Sequence, residues 1–452
     1  MSKLVIIGNG VTGATLAKRV RELDSEKEIV LISNESPYFF SRPALMYIYM
    51  GHMTEKQTRP FEDHKWDDWK ISRLQTMINS IDYNKKHCLT DTGEKISYDE
   101  LVIASGSKPN KFGWPGQDLE AVQGLYSLQD LYSMEKWSST TKRAVIVGGG
   151  LIGVEMAEMF LTRGIEVTFL VREKEFWNTI LPVGESRMVA KHMAEHHVDL
   201  RPQTELKEIH SDENGRVGSI TTSTGEKIDC EFVGLTAGVS PNIDAFKDSD
   251  LNCDRGVLID RQLQTNIENV YAAGDCAQFT EPYEGRRPIE QVWYTGKNQA
   301  MILAEIICKG DVHNYIPGIW FNSAKFFDIE YQTYGTVMGK LPEGEDTLFW
   351  QDKNGKRSFR VNYLKGSKTI TGFNFMGIRG RHLICEQWLS ENKTVEYVLT
   401  NLGALNFDPE FYTLFESSVI NEYNTINPES KVSLKTKKGL FSKLFRTLEE
   451  VK

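Results

Sequence analysis

The chain has 452 residues, with 53 Lys+Arg against 62 Asp+Glu, for a formal charge of −9 at pH 7. That length exceeds a single hydrophobic core and predicts roughly two to four domains, while 40% hydrophobic and 25% charged residues exclude a disordered or collagen-like chain. The acidic balance argues against nucleic acid as a partner, because backbone binding needs net positive surface.

The apolar run Leu4–Ile7 is expected to form a buried strand. It leads directly into Gly8-Asn9-Gly10-Val11-Thr12-Gly13, a stretch of helical spacing from Ala14 to Val20, and a second strand-like run, Ile29–Ile32. This is a βαβ unit with GxGxxG at the strand-to-helix turn. The chemistry asks for glycines there: one makes the turn, one admits a pyrophosphate to the backbone, and one lets helix and strand pack closely. The helix N-terminus then offers unpaired N–H groups to phosphates. Because signal cleavage would destroy this motif, an unprocessed, cytoplasmic chain is expected.

The unit recurs at Ala144–Val147, Gly148-Gly149-Gly150-Leu151-Ile152-Gly153, a helix-like Val154–Phe160 and a strand-like Val167–Val171. Two fingerprints in full βαβ context predict two dinucleotide sites, and the fold class is α/β with two Rossmann-like domains. From about residue 318 the texture turns to aromatic, alternating segments, with Asn354-Gly355 as a hairpin turn and Val395–Leu402 as a helix. That predicts an α+β C-terminal domain with an antiparallel sheet.

The six cysteines, at 88, 230, 253, 276, 308 and 385, include no CxxC, so zinc, iron–sulfur and CxxC redox sites are not expected and neither is any metal. No apolar stretch reaches the roughly 18 residues of a membrane span. His192, His196 and His197 do not form HExxH and are expected on a solvated helix face.

With both fingerprints, the chain resembles the FAD-dependent pyridine nucleotide-disulfide oxidoreductases. Tyr98–Pro109, including Ala104, Ser105 and Gly106, is similar to the segment closing the first half of that family's FAD domain. Trp114-Pro115-Gly116 resembles the entry to the NAD(P) domain, and Gly238–Asn242 the return crossing. Thr265–Asp275, ending in Gly274-Asp275, matches the second FAD motif, whose aspartate the resemblance assigns to the ribityl chain. A strand ending in Gly-Asp suits that task, since glycine admits the cofactor and a carboxylate accepts hydroxyl donors. The implied organisation is an FAD domain at 1–112 and 240–317, an NAD(P) domain at 113–239, a C-terminal domain at 318–430 and a basic tail at 431–452.

Members with a redox-active disulfide carry CxxxxC on the helix after the second strand. Here that region is Tyr38–Tyr47, without cysteine, which excludes disulfide reduction by that route. Its Arg-Pro-x-Leu pattern resembles the branch containing ferredoxin and rubredoxin reductases, nitrite reductase flavin domains and apoptosis-inducing-factor-like proteins. The resemblance implies that Arg42 and Pro43 flank the flavin and that Glu155 lies at the nicotinamide–flavin contact. It puts Tyr47 where ferredoxin reductases keep a lysine, Trp320 or Phe321 against the isoalloxazine, and the helix beginning near Trp293 with its N-terminus toward the flavin.

An acid about 20 positions past a fingerprint reads the ribose 2′-OH, and arginine there accommodates a 2′-phosphate. The first slot falls on Asn34 or Glu35. The second is Val171 followed by Arg172, which favours NADPH, while Glu173 beside it could still select NADH. The reading is an FAD-dependent NAD(P)H oxidoreductase, monomer or homodimer, passing electrons to a non-disulfide acceptor such as a small acidic ferredoxin- or rubredoxin-like carrier. An oxidase or quinone reductase, and a redox-responsive binding protein with little turnover, stand as alternatives. The stretch Lys431–Arg446 has six basic and no acidic residues; a solubilising terminus is the first expectation, with peripheral contact to an anionic membrane or docking of an acidic carrier as alternatives. A second basic cluster, Arg379, Arg381 and His382, reads equally as an ordinary charged loop or as a patch that steers an acidic partner.

Overall fold

The computed structural model describes residues 2–310, 314–407 and 413–435. The tail segment 436–452 therefore lies outside the described residues. The chain forms two compact units: residues 1–177 with 189–318, and residues 178–188 with 319 onward.

The first unit holds two five-stranded parallel sheets. In one, Lys3–Ile7 is central, flanked by Glu28–Ser33 and Glu100–Ile103, with Ile71–Gln75 and Val270–Ala272 outermost. Val270–Ala272 joins this sheet from far along the chain, so the domain is completed only after the second Rossmann unit has been inserted. In the other sheet Arg143–Val147 is central, between Glu166–Val171 and Phe232–Leu235. Central parallel strands are covered on both faces, and they are continuous apolar runs accordingly: Leu4, Val5, Ile6, Ala144, Val145 and Ile146 are at most 1% exposed. A short antiparallel ribbon, Ser107–Pro109 on Val239–Pro241, marks where the chain leaves and re-enters the first sheet's domain.

In the second unit five antiparallel strands run in the order Phe321–Phe326, Ile329–Gly335, Ile370–Met376, Ser358–Leu364, Glu345–Gln351. The hairpin predicted at Asn354-Gly355 joins the last two in sequence, with Gly355 at φ 73°. The predicted helix spans Val395–Thr400 and is followed by a short 3₁₀ turn. One face of the sheet, carrying Phe359, Phe373 and Phe375, buries these helices' apolar side chains. Segment 178–188, expected within the NAD(P) domain, belongs to this unit. Arg360 and Asn374 donate to the fully buried Glu185, the guanidinium at 2.7 and 2.8 Å.

Helix Val183–Glu195 corrects one expectation: His192 is 2% exposed, its ring 4.4 Å from that of His196. Only His197 is fully on the solvated side. Among the described residues, no helix is long and apolar enough to cross a membrane.

Candidate functional site

At the first glycine turn, Gly8 has φ 111°, and a Cβ there would lie 2.0 Å from the Ala104 carbonyl oxygen. A Cβ on Gly13 would lie 1.9 Å from the Gly8 carbonyl oxygen, so helix Val11–Leu23 sits hard against its strand. Gly10, by contrast, faces open space, with nothing within 4 Å of such a Cβ. No side chain caps the helix at Gly10, which leaves the first-turn N–H groups to a ligand. Thr12 closes the turn from behind, its Oγ1 2.5 Å from where a Cβ on Gly274 or on Gly296 would be.

Gly8, Gly10, Val11 and Thr12 line a cavity of about 870 Å³. Asn34 and Glu35 form its wall beyond the second strand. Glu35 is already engaged: it accepts both terminal nitrogens of Arg42, at 3.0 and 2.7 Å, and the Leu128 N–H at 2.8 Å. Against the desolvation that burial imposes, Glu35 holds the Arg42 guanidinium above its ordinary range. Arg42 also donates to the Tyr126 carbonyl and lies over the Tyr126 ring, 4.4 Å from its centroid. Pro43 follows at the start of the 3₁₀ turn Arg42–Ala44, where its missing N–H costs nothing. Both Arg42 and Pro43 line the cavity.

Ala104, Ser105 and Gly106 continue the wall, as do Asp275 and Trp293. Burial pushes the Asp275 carboxyl up to about 6, despite the Ser107 hydroxyl 3.0 Å away and the Arg42 charge. Gln291 donates to the same hydroxyl at 2.7 Å. Gly274 lies behind, at φ 78°, with its N–H given to Gln299.

From the second fingerprint, Leu151, Ile152 and Glu155 reach this same cavity. Their helix, Leu151–Thr162, also lacks a side-chain cap at Gly150. Gly148, at φ 118°, and Gly153 perform the backbone tasks of the turn without lining the cavity. Arg172 and Gly238 are likewise outside its wall. Arg172 stands exposed just past its strand, donating to Glu173 at 2.8 Å. Gly238, at φ 86°, precedes the crossing ribbon.

Tyr47 and Trp320, too, are not in the cavity wall. Tyr47 lies on helix Leu45–Tyr49, where Leu45 and Met46 face the cavity and Tyr47 stacks on His52, centroids 6.2 Å apart. Trp320 belongs to the second unit, half-buried, its carbonyl accepting the Gly335 N–H. Sequence reasoning missed Ser107, Gln291 and Tyr126. Ser107 was within reach, two residues past Ser105 in a segment already singled out; the other two carry no motif. Cysteine is absent from the described wall.

The family model for pyridine nucleotide-disulphide oxidoreductases matches residues 2–300. The chain is 26% identical over 388 residues to rubredoxin-NAD(+) reductase of Acinetobacter baylyi, covering 83% of this chain and 94% of that protein. It is 28% identical over 384 residues to NAD(P)H coenzyme A polysulfide/persulfide reductase of Pyrococcus horikoshii, covering 81% and 83%. In fold it is similar to the covalent putidaredoxin reductase–putidaredoxin complex, with TM-score 0.77, 21% identity, and coverage of 86% of this chain and 93% of that one. This chain belongs to the pyridine nucleotide-disulphide oxidoreductase family and is an FAD-dependent NAD(P)H oxidoreductase.

Proposed function

We propose that the enzyme moves electrons from NAD(P)H, through FAD, to a one-electron carrier of the ferredoxin or rubredoxin class. The observation that carries this reading is the shared cavity: both fingerprint helices open onto it, and no cysteine lies in its described wall to relay electrons as a thiol. Curated relatives named as rubredoxin and ferredoxin reductases support the acceptor class. Overall, NAD(P)H loses two electrons, two carriers gain one each, and one proton is released.

The residues fit FAD. Gly10 leaves open space where a Cβ would stand, the uncapped helix start offers N–H donors, and Asp275 presents a carboxyl that protein alone desolvates. FAD, when bound, supplies the exchange between two-electron and one-electron chemistry. The chain's own tasks are then to bind, orient and shield. Val11 and Thr12 amides would hold the diphosphate, Asp275 would accept sugar-chain hydroxyls, and Glu35 with Asn34 would face the ribose. Arg42, fixed by Glu35, and Pro43 would wall the ring system, and Glu155 would position the nicotinamide beside it.

For the coenzyme, a 2′-phosphate would have to draw Arg172 away from Glu173, whereas a ribose 2′-OH could be read by Glu173 itself. We therefore place the NADPH/NADH choice on this adjacent pair. Anaerobic stopped-flow reduction with NADH and NADPH, followed by an acceptor screen, tests the proposal. Fast transfer to ferredoxin or rubredoxin is expected; turnover with coenzyme A persulfide or O2 alone would overturn it.

A further inference from the structure

A second cavity, of about 550 Å³, lies in the same unit as the first and shares Lys108 and Asp244 with its wall. Its lining includes the crossing ribbon, where Lys108 pairs with Ser240. Four cations converge on it, Lys108, Lys247, Arg255 and Arg287, against the single carboxylate of Asp244. That reverses the balance of a chain whose formal charge is −9. Asp244 is shared between two lysines, bonding Lys108 and lying 3.1 Å from Lys247. Among the described residues, Arg255 and Arg287 form no salt bridge, although the Arg255 charge helps lower the neighbouring Asp254 carboxyl. The lining also includes the apolar Ile243, Pro288 and Ile289. Cationic and apolar residues lining one cavity, at a volume within the usual range for small-molecule sites, suit a molecule that carries a phosphate and an apolar body. No residue of either glycine fingerprint lines it.

Gln291 connects this cavity to the first. It lines the second cavity and donates at 2.7 Å to the Ser107 hydroxyl, which lies 3.0 Å from Asp275 in the first.

We propose that this cavity binds a small organic phosphate, gripped by Arg255 and Arg287, and that its occupancy reaches the flavin site through Gln291, Ser107 and Asp275. The binding half of the proposal does not depend on the identity of the electron acceptor; the coupling half rests on FAD occupying the first cavity.

The test is calorimetric titration of FAD-loaded enzyme with 1-naphthyl phosphate, with 1-naphthol and inorganic phosphate as separate arms. The phosphate ester is expected to bind, more weakly as salt rises, and the other two to bind at least roughly tenfold more weakly, each lacking one half of the recognition. The double variant Arg255→Glu/Arg287→Glu should lose binding by roughly tenfold or more while keeping its FAD and its turnover with ferricyanide, and Arg255→Gln/Arg287→Gln should fall between. Equal binding of 1-naphthol, or binding that survives both double variants, overturns the site, as does no heat with the ester at millimolar concentration. Saturation should also shift the flavin absorption spectrum, and Gln291→Leu should keep binding while abolishing that shift. A spectrum unmoved in the wild type, or still moved in Gln291→Leu, overturns the coupling.

Discussion

The two glycine turns share a motif and a strand–helix frame, but their third glycines meet different surfaces. Gly13 abuts a main-chain oxygen that cannot rotate away, and Thr12 is wedged against Gly274 and Gly296. Gly153 meets first the tip of the buried Phe169 ring, at 2.6 Å, then the Thr236 hydroxyl, and only at 2.9 Å the Gly148 carbonyl oxygen, a full ångström farther than the main-chain oxygen that Gly13 meets. The charges beyond them differ as well: Glu35 is 12% exposed and locked to Arg42, whereas Arg172 is 70% exposed with its neighbour Glu173. A turn pressed against backbone and locked charges suits a cofactor that stays bound, and a turn with an exposed charge pair beyond it suits a coenzyme that enters and leaves each cycle.

Substitution at the third glycines is the most direct way to break this contrast. Gly13→Ala should lower the FAD content of purified protein by more than about tenfold, since overpacking against backbone commonly costs ~1–3 kcal/mol or more. Gly153→Ala should keep FAD and raise KM for NAD(P)H by about tenfold, because its Cβ meets the buried Phe169 ring and the Gly148 carbonyl oxygen at the coenzyme's turn; equal FAD loss in both would erase the distinction. Absorbance at the flavin band and steady-state kinetics give the two readings.

Asp275 sharpens the comparison through pH. In FAD-free protein its carboxyl holds its proton up to about 6, against an ordinary 3.8. Its stabilising contribution is therefore complete below pH 4 and is lost as pH rises through about 6, a change on the order of 3 kcal/mol. Urea unfolding of the FAD-free protein should show that decline, and Asp275→Asn should flatten it. The same variant should weaken FAD binding by about tenfold, the loss of one charge-assisted hydrogen bond.

At the meeting of the two sites, Glu155→Ala should slow anaerobic flavin reduction by about tenfold while leaving FAD content intact; reduction at the wild-type rate removes the positioning role given to Glu155. The smallest effect is expected at the exposed pair. Glu173→Ala should raise the NADPH/NADH ratio of kcat/KM by about fivefold, a surface-charge effect of roughly 1 kcal/mol.

Much of this could be read along the chain because it is local. The fingerprints, the Gly274-Asp275 turn and the Asn354-Gly355 hairpin each place their chemistry within a few residues, where spacing and backbone demands coincide. What could not be read depends on residues brought together from afar. Glu35 was expected to face a ribose, but nothing in its surroundings announced that Arg42 and the Leu128 amide would hold two of its faces. The family resemblance put Tyr47 at the slot where ferredoxin reductases keep a lysine, yet on a five-residue helix it is Leu45 and Met46 that face the cavity. His192 looked polar and is buried, because its helix is covered on that side. The cationic cavity draws on positions 108, 247, 255 and 287, a scattering with no periodicity to detect.

The buried pair of Glu185 and Arg360 bears on how this molecule can be taken apart. Residues 178–188 are encoded in the middle of the second Rossmann unit but folded with the C-terminal sheet. A chain cut at 318 would leave Glu185 without its guanidinium, and one begun at 319 would bury Arg360 without its carboxylate; either loss typically costs ~3–5 kcal/mol. The C-terminal sheet is thus not a detachable cassette. Recombination that swaps it between relatives must carry the eleven-residue strap along, or replace both ends of the pair at once.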